Sequence, residues 1–491
     1  MSMLSWLEQN SGVRGGNFIA GEWREAGRSA VPIFNPARKD QRLGEFANSS
    51  AGEVDEAIEA AHRAWLSWRD VPGPERGVIL FRAADILDNR AEAIAYALSA
   101  EQGKVLAESR GEVGRAAKEL RFSAGEASRI DGDTLPSEKR NGFALTMREP
   151  IGVIAAIAPW NFPVVTPIRK IAPALAFGCS VVFKPSNLTP WAASLLMDVF
   201  KDAGVPAGVV NLVLGMGRTV GDAMIRHPLV RGVSFTGSTT TGATINEQAA
   251  RRFVRTQLEL GGKNPAVVLS ASDLDAVARQ IVGAAFACSG QRCTAISRVI
   301  VLESLADALV EALKAAVEAI RVGPAWDPQA TMGPLITSAH CSSVTDALDR
   351  GLSEGGTVLC GGFRLREADF ALGHYLAPTL IDGVQPGTHL ARHELFGPVL
   401  SVIRVPTVRE AFAVANDVEY GLAASIFTHD IDEALHFVRQ SESGMVHVNH
   451  GTASEAHLPF GGIKGSGFGP FSIGHSNQEF FTTIKAVYLQ S

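Results

Sequence analysis

Apolar residues change their spacing along this chain, and each change predicts a different kind of element. Residues 17–24 alternate apolar and polar around Ala20-Gly21, which predicts a small hairpin. Ser50-Ala-Gly-Glu53 has the form of a capping box and precedes Val54, Ile58, Ala61 and Trp65, one helical stripe. Residues 74–97 and 104–128 predict further long helices whose apolar faces read as core. From Ile151 the pattern becomes short, almost wholly apolar runs at 152–157, 180–183, 209–213 and 233–235. These alternate with helical patterns at 165–177, 192–203, 219–225 and 241–250. Such runs specify a parallel sheet buried on both faces. Ligands bind at the carboxyl edge of a sheet of this kind. The segments that follow the runs are Pro159-Trp-Asn-Phe162, Lys184-Pro-Ser186, Gly215-Met-Gly217 and Thr236-Gly-Ser238, so all four belong on one edge, the position of a dinucleotide site. A second series starts after Gly262, with strands at 265–269 and 298–302 and helices at 274–287 and 306–321. Residues 129–148 and the tail at 479–489 fit neither rhythm and are candidates for pairing with another subunit.

Composition narrows the function classes. A chain of 491 residues is too long for one core, and 46% hydrophobic with 20% charged residues fits a soluble multidomain protein. A net charge of −6 offers no basic surface for nucleic acid and no polybasic membrane arm. The N-terminus lacks the basic and apolar regions of a signal peptide, and the apolar stretches 151–158 and 171–183 are too short or too interrupted to span a bilayer. Five scattered cysteines (179, 288, 293, 341, 360), with no CxxC or His/Cys ligand spacing, point to free thiols in a reducing cytoplasm and to no metal site.

Two residues carry the chemistry. Cys293 lies in Gly290-Gln-Arg-Cys293-Thr, beyond the expected helix end, where a side chain reaches a cleft. Glu259 lies in Glu259-Leu-Gly-Gly-Lys-Asn-Pro265, between leucines and glycines that do not suit a surface charge. A thiolate attacks a carbonyl carbon, and a nearby carboxylate later activates water. Together they predict catalysis through a thioester. Cys288, on the helical pattern, reads instead as a small buried hydrophobe. Gly237 and Ser238 open a helix whose N–H groups suit a pyrophosphate. Gly215-x-Gly217-x-x-x-Gly221 is only a near miss to a dinucleotide fingerprint. Asn161 by itself reads as a cap of the helix that follows Pro163. The histidines at 447, 450 and 457 do not have ligand spacing.

Pro159-Trp-Asn-Phe-Pro163, Phe235-Thr-Gly-Ser238, Glu259-Leu-Gly-Gly-Lys-Asn264, Gly290-Gln-Arg-Cys293, Glu394-Leu-Phe-Gly-Pro398 and Pro459-Phe-Gly-Gly462 resemble, in order, the signature segments of the aldehyde dehydrogenase superfamily. The similarity runs from about 18 to 487. It implies an α/β fold: a Rossmann-type dinucleotide domain (1–128 and 149–260), an α/β catalytic domain (261–465) and a small β oligomerisation arm (129–148 and 466–491). It implies Cys293 as nucleophile, Asn161 as oxyanion donor and Glu259 as the base for deacylation. The CoA-acylating branch typically lacks that Glu, so its presence favours release of a free acid; a non-catalytic protein on this fold would be expected to lose the thiol or the base. For the cofactor, the resemblance points to Lys184 and Ser186 at the adenosine ribose, Gly237 and Ser238 at the pyrophosphate, and Glu394 and Phe396 at the nicotinamide side. Ile157, Trp160, Gly217, Thr236 and Leu260 complete that expected wall. Where NAD-preferring members commonly carry Glu, this chain has Asn187. A 2′-phosphate then meets no carboxylate, so NADP is expected to be accepted beside NAD, with a preference for it left open.

Arg169, eight residues after Asn161, stands where acetaldehyde-type members place a large apolar residue and succinic semialdehyde dehydrogenases place Arg. A guanidinium there grips a carboxylate, although a surface Arg or an interface ion pair is the plain alternative. Phe162, Arg292 and Ser454 are the other expected substrate contacts. The polar segment 447–457, with Phe480 and Phe481, most resembles the branch that oxidises 2-oxoglutaric semialdehyde (2,5-dioxopentanoate); succinic and glutaric semialdehydes follow. Pro470-Phe-Ser-Ile-Gly474 replaces the family's frequent Arg-Glu-Leu-Gly run, removing any acidic proton relay there. A homodimer or homotetramer is expected.

Overall fold

The computed structural model describes residues 1–27 and 29–490, so Arg28 and Ser491, both within the expected domain bounds, lie outside it. Two large sheets form the body. In the first, five parallel strands stand in the order Arg255–Glu259, Val230–Thr236, Val153–Ile157, Ser180–Lys184 and Val210–Leu212. Short antiparallel strands close both edges: the hairpin Phe18–Ile19/Glu22–Trp23 on one side and Gly467–Phe468 on the other. Val153–Ile157 and Ser180–Lys184 are buried at every position, as a sheet covered on both faces requires. The second sheet is a seven-stranded, mostly parallel array centred on Ile296–Leu302, Asn264–Val268 and Ala423–Phe427.

Some helices begin at a side-chain cap that the sequence marks. Ser50 and Glu53 form the predicted capping box at the start of Ala51–Trp68. Two other helices are capped from a distance. Glu112 accepts the N–H groups of Val164 and Val165 at the start of Val165–Ala176, and Glu101 accepts those of Trp191 and Ala192 at the start of Pro190–Ala203. Each carboxylate satisfies two otherwise unpaired donors at the positive end of a helix.

Some expected boundaries move. Residues 74–97 are two helices, Gly73–Asn89 and Ala91–Gln102, that meet at Arg90. The helix expected to carry Cys288 stops at Phe286, and Cys288 and Ser289 take positive φ (55° and 58°) in a tight turn. The segments that fit neither rhythm pair with each other within the chain. Thr482–Gln490 runs antiparallel to Gly142–Pro150 over nine residue pairs, and Thr134–Pro136 adds a third strand. Among the described residues, no helix is long and apolar enough to cross a membrane.

Candidate active site

The carboxyl edge of the first sheet meets the second sheet around a cavity of about 540 Å³ whose wall includes Asn161, Glu259 and Cys293. Glu259 ends its strand, and its register partner Thr236 ends the neighbouring one. The Thr236 hydroxyl donates to Glu259 Oε2 at 2.8 Å, and Lys170 Nζ donates to that hydroxyl at 2.7 Å. Glu259 Oε1 is buried without a hydrogen-bond partner among the described residues. A carboxylate held by one oxygen and open at the other is set up to take a proton from a water. Burial pushes the Lys170 ammonium down to about 8.

Cys293 follows the tight turn at 287–290 and precedes Ile296–Leu302. Asn264, from the same motif as Glu259, donates to the carbonyls of Cys293 and Ala295 at 2.7 and 2.8 Å, which fixes the nucleophile's loop. The two glycines of that motif permit close packing. A Cβ on Gly262 would lie 2.5 Å from the Cys293 carbonyl oxygen, and one on Gly261 would strike the Glu394 carboxylate. Desolvation first, then the facing carboxylates Glu259 and Glu394, push the Cys293 thiol up to about 12, against Arg169 and Arg292. The Cys288 thiol is also buried, yet it lies in the wall of the cavity rather than in a core.

The Asn161 side-chain amide donates to the Gln291 carbonyl at 2.8 Å, which places it beside the Cys293 loop. The Asn161 main-chain carbonyl accepts from Lys104 Nζ at 2.7 Å, and the same ammonium pairs with Glu112 Oε2 at 2.7 Å. Lys104 also sits 4.0 Å from the centre of the Phe162 ring. It is completely buried, so its charge is sustained by these partners. Lys104 carries no signal of its own, because its neighbours look like an ordinary polar helix start.

On the substrate side, Phe162, Arg169, Arg292 and Ser454 all line the cavity, and so does Arg115, which the sequence reading missed. Arg169 forks onto Glu119 (Nη2 to Oε1 2.8 Å, Nε to Oε2 3.3 Å) and lies 4.3 Å over the Phe460 ring. Neither the surface nor the interface alternative fits a residue buried to this degree (6% exposed). Arg292 donates to the Thr294 hydroxyl at 3.3 Å.

Trp160, Thr236, Gly237, Ser238, Leu260, Glu394 and Phe396 share the same cavity wall, while Ser186 and Asn187 line a second, shallow one with Gly215. Seven of the expected cofactor residues therefore line one hollow and two line the other. Lys184 is buried with Nζ donating to the Pro185 carbonyl at 2.9 Å; Ile157 ends its strand two residues before Pro159, and Gly217 opens the turn Gly217–Gly221. The residues suit a dinucleotide. The helix Thr239–Ala250 directs its N-terminus at the cavity edge, and its first turn carries no acidic residue to repel a pyrophosphate. Glu394 accepts from the Gly262 N–H at 3.0 Å, and desolvation lifts its carboxyl to about 7. Among the described residues, no cluster of side chains has the makeup of a metal site.

The family model "Aldehyde dehydrogenase family" matches residues 23–487, and the chain belongs to that family as an NAD(P)-dependent aldehyde dehydrogenase. It is 39% identical to the alpha-ketoglutaric semialdehyde dehydrogenase of Bacillus subtilis, with 100% of each chain covered. It is 37% identical to the NADP(+) succinate-semialdehyde dehydrogenase of Escherichia coli, covering 92% of this chain and 93% of that one. A solved structure of Staphylococcus aureus betaine aldehyde dehydrogenase in complex with NAD+ superimposes with a TM-score of 0.96 at 32% identity, covering 99% and 97% of the two chains.

Proposed function

We propose that this enzyme oxidises an ω-carboxylated semialdehyde, 2-oxoglutaric semialdehyde before succinic or glutaric semialdehyde, to the free acid. The observation that carries the proposal is the pair Arg115 and Arg169 in the wall of the cavity that holds Cys293. Two guanidiniums share one carboxylate there, which leaves one surplus positive charge at that part of the wall. A small apolar aldehyde gains nothing from that charge, whereas an anionic substrate does. Relatives named for 2-oxoglutaric, succinic and glutaric semialdehydes support the same class.

Each residue has a task. Cys293 Sγ bonds to the aldehyde carbon after losing its proton to solvent. The side-chain amide of Asn161 and the Cys293 N–H stabilise the resulting alkoxide. Bound NAD(P)+ supplies the hydride acceptor that turns the thiohemiacetal into a thioester. Glu259, held through Oε2 by Thr236, then takes a proton from water at Oε1 as the water attacks the thioester carbon. The acid leaves and the thiol is restored. Asn187 in the shallow hollow, with no carboxylate at that position, supports acceptance of NADP. The five free thiols support a cytoplasmic setting. The exposed apolar arm at 134–150 and 482–490 supports a homo-oligomer.

Steady-state kinetics with both cofactors tests the proposal. The three semialdehydes should exceed pentanal in kcat/KM by about tenfold or more, the scale of one charged hydrogen bond. Free acid should form with CoA omitted; dependence on CoA would favour the acylating branch. Pentanal outperforming all three semialdehydes would overturn the substrate class and leave the family untouched.

A further inference from the structure

The two arginines that share Glu119 lie at different depths. Glu119 is buried, its side chain 1% exposed, and stays behind the cavity wall. Arg169 uses Nε and Nη2 on it, and its side chain is 7% exposed. Arg115, one helical turn before Glu119, donates Nε to Oε1 at 3.0 Å, and its side chain is 22% exposed. Arg115 is therefore the more solvent-accessible of the two. Its two remaining nitrogens reach across to Ser454: Nη2 donates to Oγ at 3.3 Å, and Nη1 to the carbonyl oxygen. Among the described residues, nothing accepts from Nη1 of Arg169.

We infer, on the semialdehyde reading given above, that Arg115 with Ser454 is an outer grip that selects for chain length. The aldehyde carbon is fixed by its bond to Cys293. Each further carbon then carries the distal carboxylate outward by up to about 1.5 Å along the chain. The carboxylate of a four-carbon semialdehyde falls at the inner guanidinium, Arg169. A five-carbon 2-oxo semialdehyde presents two adjacent acceptors, a ketone and a carboxylate. The inner arginine meets the ketone with Nη1, and the outer one, with the Ser454 hydroxyl, meets the carboxylate. Glu119 holds both forks from behind and lowers the desolvation cost of keeping two cations side by side. Arg115 thus determines specificity among acid aldehydes, and the plain alternative is a tie that merely holds the 449–458 segment in place.

The test compares Arg115→Gln and Arg115→Lys with the parent on 2-oxoglutaric semialdehyde, succinic semialdehyde and pentanal. The expected result for Arg115→Gln is a fall of about tenfold in the kcat/KM ratio of the five-carbon to the four-carbon semialdehyde, carried by KM. Arg115→Lys, which keeps the charge but loses the fork, should recover part of that ratio. A simple tie predicts equal losses on all three substrates, and that outcome would overturn the inference. Ser454→Ala removes one hydroxyl and should move the ratio the same way by about threefold, which keeps the test decisive if the Arg115 variants fold poorly. A parent enzyme that prefers pentanal sinks the semialdehyde reading itself. A parent that prefers semialdehydes, with the ratio unmoved in Arg115→Gln and Ser454→Ala, sinks only the outer grip.

Discussion

The Cys293 thiol is protonated in the free enzyme, because burial and two facing carboxylates outweigh two nearby arginines. The sign is plain. With the thiol pushed up to about 12, the reactive thiolate fraction grows about tenfold for each unit of pH below that value. Alkylation of Cys293 by iodoacetamide, followed by mass spectrometry without cofactor, should therefore keep accelerating from pH 7 to 9. A plateau below pH 8 would show that some group activates the thiol before any ligand binds. Glu259→Gln separates the two half-reactions: about one equivalent of reduced cofactor per site should appear quickly, with turnover then slowed by about a hundredfold or more. Loss of the burst itself would place Glu259 in acylation instead. At the cofactor, Asn187→Glu should lower the NADP/NAD ratio of kcat/KM by about tenfold, and an unchanged ratio would remove Asn187 from that recognition. The residues behind these tests were legible because their motifs put rare combinations in small spaces, such as a Glu between leucines and glycines. Arg115 and Lys104 were not. In sequence each is one polar residue among others, and its burial is imposed by elements far along the chain.

Single elements carry the site through pairs that bridge them. Lys104, at the mouth of the helix Leu106–Glu126, ties the Glu112 carboxylate to the Asn161 carbonyl, while Glu112 caps the helix that bears Arg169. One buried ion pair thus fixes Asn161 relative to the helix that bears Arg169. Lys104→Met leaves Glu112 as an unpaired buried charge and should cost about 3–5 kcal/mol in chemical denaturation, with kcat falling because Asn161 loses its anchor. The double variant with Glu112→Gln should regain part of the stability, since the orphaned charge is then gone. A single variant as stable as its parent would show that water replaces the ammonium. The strands of the first sheet were legible from their apolar runs, because a strand covered on both faces has no polar side to hide it. The break at Arg90 was not: alanine-rich periodicity continues across it, and the division lies in the Arg90 backbone, at φ −102° and ψ 6°. The turn at Cys288 escaped for a similar reason, since nothing in Ala-Cys-Ser announces two consecutive positive φ angles.

At the scale of the molecule, the conspicuous feature is the three-stranded arm, which is apolar and exposed on both faces. Phe143, Met147 and Leu489 are 47%, 42% and 52% exposed on one face; Leu135, Ile484 and Tyr488 are 48%, 59% and 85% exposed on the other. Three strands in isolation gain little from water exclusion, so this much open apolar surface marks an interaction surface. The expected partner is a second copy of the chain, because a symmetric contact lets one patch bury itself against its own equivalent. Phe143 and Leu489 are directly opposite each other in the register. Phe143→Lys with Leu489→Glu places opposite charges across that pair, which preserves the pairing of the arm's own strands while making its outer face polar. In sedimentation velocity the parent should run as a dimer or tetramer and the double variant as a smaller species. Far-ultraviolet circular dichroism should match, because the arm's internal ladder is kept. An unchanged sedimentation coefficient would mean that this face stays open in solution, and the reason for its apolar character would have to be sought in some other partner.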